Sequence, residues 1–178
     1  MPALLGAAVV ALAVGVVAWP SVGASTASAA AGDPTAPARA FSARVVRVVD
    51  GDTFIAAHGG QQVRVRLIGV DTPETVKPDW PVECWGPEAS RLTHHLLPVG
   101  TRVRAAYESG GHLDRYGRDL WDVWLPDGRF LQAVLVRRGA AEAFAYRPQV
   151  AHATFLSRLE TRARAADAGM WGHCPSAG

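Results

Sequence analysis

Apolar and polar residues alternate over Val63-Arg64-Val65-Arg66-Leu67, which sets Val63, Val65 and Leu67 on one face of a strand and Arg64 and Arg66 on the other. Upstream, Ala43 to Val49 is rich in β-branched residues, and Thr53 to Ala57 follows the turn-prone Asp50-Gly51-Asp52. His58-Gly59-Gly60-Gln61 reads as a hairpin turn, so these segments predict a three-stranded antiparallel meander. After a Pro-rich loop from Thr75 to Trp85, Gly86-Pro87-Glu88-Ala89-Ser90 opens a helix that runs to about Leu97, with Pro87 in the first turn and Glu88 beside the positive end of the helix dipole. Val103 to Glu108 and Asp119 to Leu125 read as two further strands, the second placing Trp121, Val123 and Leu125 on one face. Pro126-Asp127-Gly128 turns into a short helix from Phe130 to Arg138, which Gly139 closes as a left-handed cap. Ala143 to Tyr146 reads as a last short strand, and Val150 to Ala168 as a longer helix with Phe155, Leu159 and Ala163 at helical spacing.

Five or six short strands with helices entering late predict a β-barrel with helices, an α+β fold. The expected form is a small Greek-key barrel of the oligonucleotide-binding kind. Such barrels bind polyanionic chains on one face. A length of 178 residues suits one well-cored domain.

The apolar run from Ala3 to Trp19, followed by small residues ending at Ala29, reads as a signal peptide over residues 1–29. No Lys or Arg precedes it, and a retained membrane anchor is the rival reading; either way the domain faces the outside. Residues 30–40 have the Pro and small-residue content of a flexible leader with nothing periodic to bury. The domain is expected over 41–174, with a tail at 175–178. Two cysteines, Cys84 and Cys174, in an exported chain are expected to pair, two free thiols being the alternative. The formal net charge is only +2, which suits a protein that meets polyanions and releases them rather than one that holds them tightly.

Three islands carry chemistry: Asp50-Gly51-Asp52-Thr53, the segment Arg66 to Thr75, and Asp114-Arg115-Tyr116-Gly117-Arg118. Each alone is ordinary turn or loop chemistry. The second ends an apolar strand in Asp71-Thr72-Pro73-Glu74, where proline forces the chain out of its sheet and leaves both carboxylates at a loop mouth. Jointly the islands supply two carboxylates for a hard cation, two arginines for a phosphate and a spare carboxylate near a nucleophile. That inventory matches metal-assisted phosphodiester hydrolysis.

With Gly86-Pro87-Glu88-Ala89-Ser90 between the second island and the third, the order of these motifs resembles the staphylococcal nuclease, or thermonuclease, family over about Ala43 to Trp171. The resemblance implies a five-stranded oligonucleotide-binding Greek-key barrel with three α-helices and a calcium-dependent endonuclease that cleaves DNA and RNA, preferring exposed or single-stranded regions and leaving 3′-phosphate ends; with the signal segment it is expected to be secreted. It makes Asp52 and Asp71 the Ca2+-binding carboxylates, joined by the backbone carbonyl of Thr72. The donors are hard oxygens, and no Cys or His lies in the motifs, which argues against zinc. Glu74 corresponds to the general base, either deprotonating or only orienting the attacking water. Arg66 and Arg118 match two phosphate-clamping arginines, whose planar forks lysine cannot reproduce. Arg115, Tyr116 and Tyr146 fall where the family contacts the nucleotide. Phe144 stands where a second tyrosine is expected, keeping a ring but losing a hydroxyl. Tyr146-Arg147-Pro148 resembles a segment that carries a cis-proline in the family.

Other candidates read as structural. Adjacent His94 and His95 point about 100° apart on a helix and cannot share a metal. His58, His112, His152 and His173 lack ligand spacing. Trp121, Trp124 and Trp171 suit a core or rim, and Arg158, Arg162 and Arg164 a solvated helix face. DNA and RNA are the expected partners of a monomer with no stable protein partner. A non-catalytic nucleic-acid-binding module is the main rival, although such a module has no need for acids that repel phosphate. A structural cell-envelope protein is a weaker one.

Overall fold

The computed structural model of the chain describes residues 32–75, 81–107, 113–145 and 150–174. The expected signal segment, the tail 175–178, Tyr146, Pro148 and His112 lie outside the described residues. Strands β1 (Phe41–Val48), β2 (Thr53–His58) and β3 (Gln61–Leu67) form the meander read from the sequence. A register shift between Val45 and Arg47 bends β1 without turning its apolar face outward. β5 (Arg102–Tyr107) pairs with both β1 and β6 (Asp119–Trp124), and β6 runs parallel to β3, closing a five-stranded barrel in the order β1-β2-β3-β6-β5. The parallel pair is short because only the start of β6 reaches β3, from Val65↔Asp119 to Leu67↔Trp121.

The barrel is filled by Phe54, Ala56, Val65, Leu67, Val103, Ala105, Trp121 and Val123, all fully buried. Helix α1 (Gly86–Leu96) starts with Pro87 in its first turn and lies against the β1 side. Helix α2 (Leu131–Arg137) is buried almost all round, and α3 (Ala153–Ala165) packs on it through Leu156, Leu159 and Ala163. A single turn, α4 (Met170–His173), follows. Gly139, at φ 59, closes α2 as expected, and the reason is also one of space: a Cβ there would lie 1.8 Å from the Ala168 carbonyl oxygen. α3 is shorter than its apolar spacing suggests. It starts after the turn in which the Ala153 N–H bonds the Val150 carbonyl, and it ends before Asp167, which has φ 47. Among the described residues no helix is long and apolar enough to cross a membrane.

Two features depart from the sequence reading. The last strand is only β7 (Glu142–Ala143), and it pairs not with the barrel but with β4 (Val70–Asp71) in a separate ribbon. The leader is not idle over 33–40. The Trp124 indole N–H donates to the Pro34 carbonyl at 2.7 Å, Asp33 pairs with Arg137, and Ala36 and Ala40 pack on the core. A buried indole needs an acceptor, and this segment supplies one that no periodicity advertises.

Cys84 and Cys174 form a disulfide that links the start of α1 to the end of the chain. Trp85 and His173 pack beside it with their rings tilted by 33° and their centroids 4.4 Å apart.

Candidate active site

The three islands converge on one cavity of about 140 Å³, lined by Asp50, Asp52, Arg66, Asp71, Thr72, Pro73, Glu74 and Arg118. Topology brings them there. The Asp50–Asp52 turn joins β1 to β2, Arg66 is the last but one residue of β3 and pairs with Thr53, β4 carries Asp71 out of the barrel, and Arg118 stands just before β6.

The turn is held from within and behind. Asp50 Oδ1 accepts the backbone N–H groups of Asp52 (3.1 Å) and Thr53 (2.7 Å), while Thr93 of α1 donates its hydroxyl to the Gly51 carbonyl at 2.7 Å. Gly51 is required because a Cβ there would sit 2.6 Å from Thr72 Oγ1. That close approach lets Thr72 donate its amide (3.0 Å) and its hydroxyl (3.1 Å) to Asp52 Oδ2.

Arg66 lies on the non-core face as expected. Strand alternation does turn it away from the barrel interior, but outward is not solvent here: the residue is only 5 % exposed. Its Nη1 donates to the carbonyls of Leu67 and Val70, both at 2.7 Å, and its Nη2 lies 2.6 Å from Asp71 Oδ1 and 3.1 Å from Asp52 Oδ2. The guanidinium thus ties the two expected metal carboxylates together. Arg118 is less enclosed. Its Nε donates to Asp114 Oδ2 at 2.6 Å, its Nη1 reaches Thr53 Oγ1 at 3.4 Å, and its outer edge is turned to the cavity.

Four carboxylates, Asp50, Asp52, Asp71 and Glu74, face two guanidiniums, so the cavity carries excess negative charge. Burial, then the charge of Asp52, pushes Asp50 up to about 6 against the bonds from its two amides. Asp71 also rises to about 6, although half its side chain is exposed. Loss of solvent is the main cause, Arg66 opposes it, and Asp52 and Glu142 add to it. Raised carboxyl groups of this kind mark a site short of positive charge. Among the described residues no three His, Cys, Asp or Glu side chains come together as a ready metal cluster. Asp52 and Asp71 as a pair, with oxygen donors only, still fit a hard cation that draws its other ligands from a backbone carbonyl, water and substrate.

A second cleft of about 470 Å³ opens beside the first and shares Arg66, Asp71 and Arg118 with it; Arg115, Tyr116, Asp114, Leu120 and Phe144 complete its lining. Tyr116 is 68 % exposed, with the guanidinium carbons of Arg115 and Arg118 lying 4.8 Å and 5.4 Å from its ring centre. Phe144 reaches this cleft because its amide bonds the Gly69 carbonyl at 3.0 Å, continuing the β4–β7 ribbon. Of the expected site residues, Asp52, Arg66, Asp71, Thr72, Glu74, Arg115, Tyr116 and Arg118 therefore meet around one groove.

Three further residues take part, of which Asp50 and Asp114 lie in the islands without an expected role and Glu83 lies outside them. Asp50 lines the cavity, and the doubled acid of Asp50-Gly51-Asp52 was its signal. Asp114 accepts the amides of Tyr116 (2.8 Å) and Arg118 (2.9 Å) besides the guanidinium; desolvation raises its carboxyl, but these bonds outweigh it and lower the group overall. Glu83 holds Glu74 in place, accepting the Glu74 amide at 2.9 Å and returning its own amide to the Glu74 carbonyl at 2.9 Å. No local pattern marks Glu83, whose role exists only through the fold.

The profile of the family described as "Staphylococcal nuclease homologue" matches residues 64–173. The chain is 41 % identical over 128 residues to the thermonuclease of Staphylococcus hyicus, covering 72 % of this chain and 74 % of that one. It is 42 % identical over 133 residues to the thermonuclease of Staphylococcus intermedius, with 75 % and 77 % covered. Endonuclease YncB of Bacillus subtilis is 32 % identical over 126 residues, with 70 % and 59 % covered. The motifs, the barrel and these similarities agree, and the chain belongs to the staphylococcal nuclease family.

Proposed function

We propose that this nuclease is an exported, calcium-dependent endonuclease that hydrolyses DNA and RNA to 3′-phosphate products. The observation that carries the reading is the single cavity in which four carboxylates oppose two arginines. A binding-only module has no use for acids that repel its ligand.

Asp52, Asp71 and the Thr72 carbonyl are the proposed holders of the ion. Held there, calcium would supply a Lewis acid for the phosphate and a counter-charge to the crowded carboxylates. Arg118 donates its outer N–H groups to the phosphoryl oxygens as charge grows in the transition state, whereas Arg66, whose Nη1 and Nη2 are held by two carbonyls and two carboxylates, would join it by giving up a carboxylate partner. Glu74 takes the proton of the attacking water as the water oxygen bonds phosphorus and the bond to the 5′-oxygen breaks; solvent returns a proton to that oxygen. Glu83 fixes the backbone from which Glu74 acts. Tyr116 and Phe144 offer rings to bases, and stacking of this kind tolerates any sequence. Tyr146 is proposed to join them. Export is supported by the apolar run from Ala3 to Trp19 and by the disulfide.

Purified protein incubated with single-stranded DNA should digest it with calcium and stop when chelator is added. Digestion that persists in chelator rejects the metal mechanism.

A further inference from the structure

Formal charge is nearly balanced over the chain, but it is not evenly spread. Strands β1, β2, β3 and β5 contain no Asp or Glu, and their outward positions carry Arg44, Arg47, Arg64, Arg102 and Arg104, all exposed. Among the described residues none of these five makes an ion pair. Their hydrogen bonds are from Arg44 to the Gly100 carbonyl (3.0 Å) and from Arg104 to the carbonyls of Ala40 (3.1 Å) and Pro37 (3.5 Å). Arg44 stands directly opposite Arg102 across the β1–β5 ladder, and Arg47 and Arg64 flank Ile55 in one cross-strand row. Like charges facing each other on a sheet destabilise it unless a counter-charge lies over them.

The row continues the candidate site. Arg64 precedes Arg66 by two positions on β3, which places it on the same face about 7 Å away, and Arg47 lies about 10 Å further across two strand spacings. Beyond them, Ser42, Arg44, His58 and Arg102 border a shallow concavity of about 300 Å³. Guanidiniums spaced along an acid-free wall fit a ligand that repeats negative charge along its length.

We propose that this outer wall is a docking track for the phosphodiester backbone of a long nucleic-acid strand, whose adjoining stretch lies in the cleavage groove. The track rests on the nuclease reading for the identity of its occupant, but its binding needs no turnover. It would make long strands better substrates than short ones, without base preference.

The test is binding of a labelled oligothymidylate of about 30 nucleotides, in chelator, over a range of salt. For Arg47→Gln/Arg64→Gln/Arg102→Gln, the slope of log affinity against log salt should flatten by about 2, near 0.7 for each phosphate no longer neutralised, while the triple lysine variant keeps most of the slope. With calcium, the KM for that strand should rise about tenfold relative to the KM for a dinucleotide. An unchanged slope in the glutamine variant overturns the track. So does a result in which the glutamine variant loses binding to phosphatidylglycerol vesicles and keeps its DNA slope, which would make the wall a lipid surface. Failure of the wild type to digest DNA with calcium would sink the nuclease mechanism and leave the binding result standing.

Discussion

Two neighbouring cross-strand pairs on β2 and β3 answer opposite demands. Phe54 and Val65 face each other inside the barrel, and the next pair along, Thr53 and Arg66, faces outward, with Arg66 lining the cavity. All four are 0 to 5 % exposed. The inner pair is stabilised by leaving water and needs nothing else. The outer pair is equally dry but polar, and its one charge, on Arg66, must be matched by two carbonyls and two carboxylates, which then crowd one another. Burial thus stabilises the inner pair, whereas around the outer pair it builds a local charge imbalance. The lesson is that depth alone does not distinguish core from site; the sign of the unmet electrostatic demand does.

That contrast can be broken from either side. Trp121→Ala, inside the barrel, should cost about 3 to 5 kcal/mol in denaturant unfolding, with turnover per folded molecule little changed. Arg118→Lys should do the reverse, lowering turnover on the order of 10³-fold with the melting temperature nearly kept. A folded Arg118→Lys enzyme with near-normal turnover would remove that arginine from the mechanism. Replacing both cysteines with serine should cost about 2 to 5 kcal/mol, since the bridge closes a loop of 90 residues. Because Glu83 adjoins Cys84, the same variant should also lower turnover at temperatures where it stays folded. Asp114→Asn removes the charge that aims Arg118 and should reduce kcat about tenfold with KM little changed.

The subtlest test uses pH. Asp50 and Asp71 rise from an ordinary value of 3.8 to about 6 in the fold, so the folded state binds protons more readily than the unfolded chain. In chelator their contribution to stability is present below about 4 and is lost as pH rises through about 6. The melting temperature should fall over that window, Asp50→Asn should flatten the fall, and calcium at neutral pH should restore stability. Activity should run the other way, falling at acid pH as protons compete with calcium for Asp71, with the midpoint moving lower as calcium is raised. A melting temperature that climbs from pH 4 to 6 in chelator would contradict the crowded-carboxylate picture.

Much of this was legible in the sequence. The β1-β2-β3 meander shows in alternation and turn residues, and α1 shows in its Pro87 start. The three islands show as acids and arginines packed into turns, which ordinary loops rarely need together. The β4–β7 ribbon was not legible, because a two-residue strand has no period to read and its partner is about 70 residues away. Nor was the docking of Asp33 and Pro34, which depends on where Arg137 and Trp124 end up.

The sequence by itself supplied the candidates for holding a cation, clamping a phosphate and moving a proton, because side-chain chemistry is local and the order of motifs that carries the family resemblance survives without coordinates. Only the tertiary structure decided that Arg66 is buried between Asp52 and Asp71, that Asp50 joins their charge, that Glu83 holds Glu74, and that five arginines share an acid-free wall. Each of these is a statement about distance and dielectric between groups far apart in the chain, and those quantities exist only once the barrel closes.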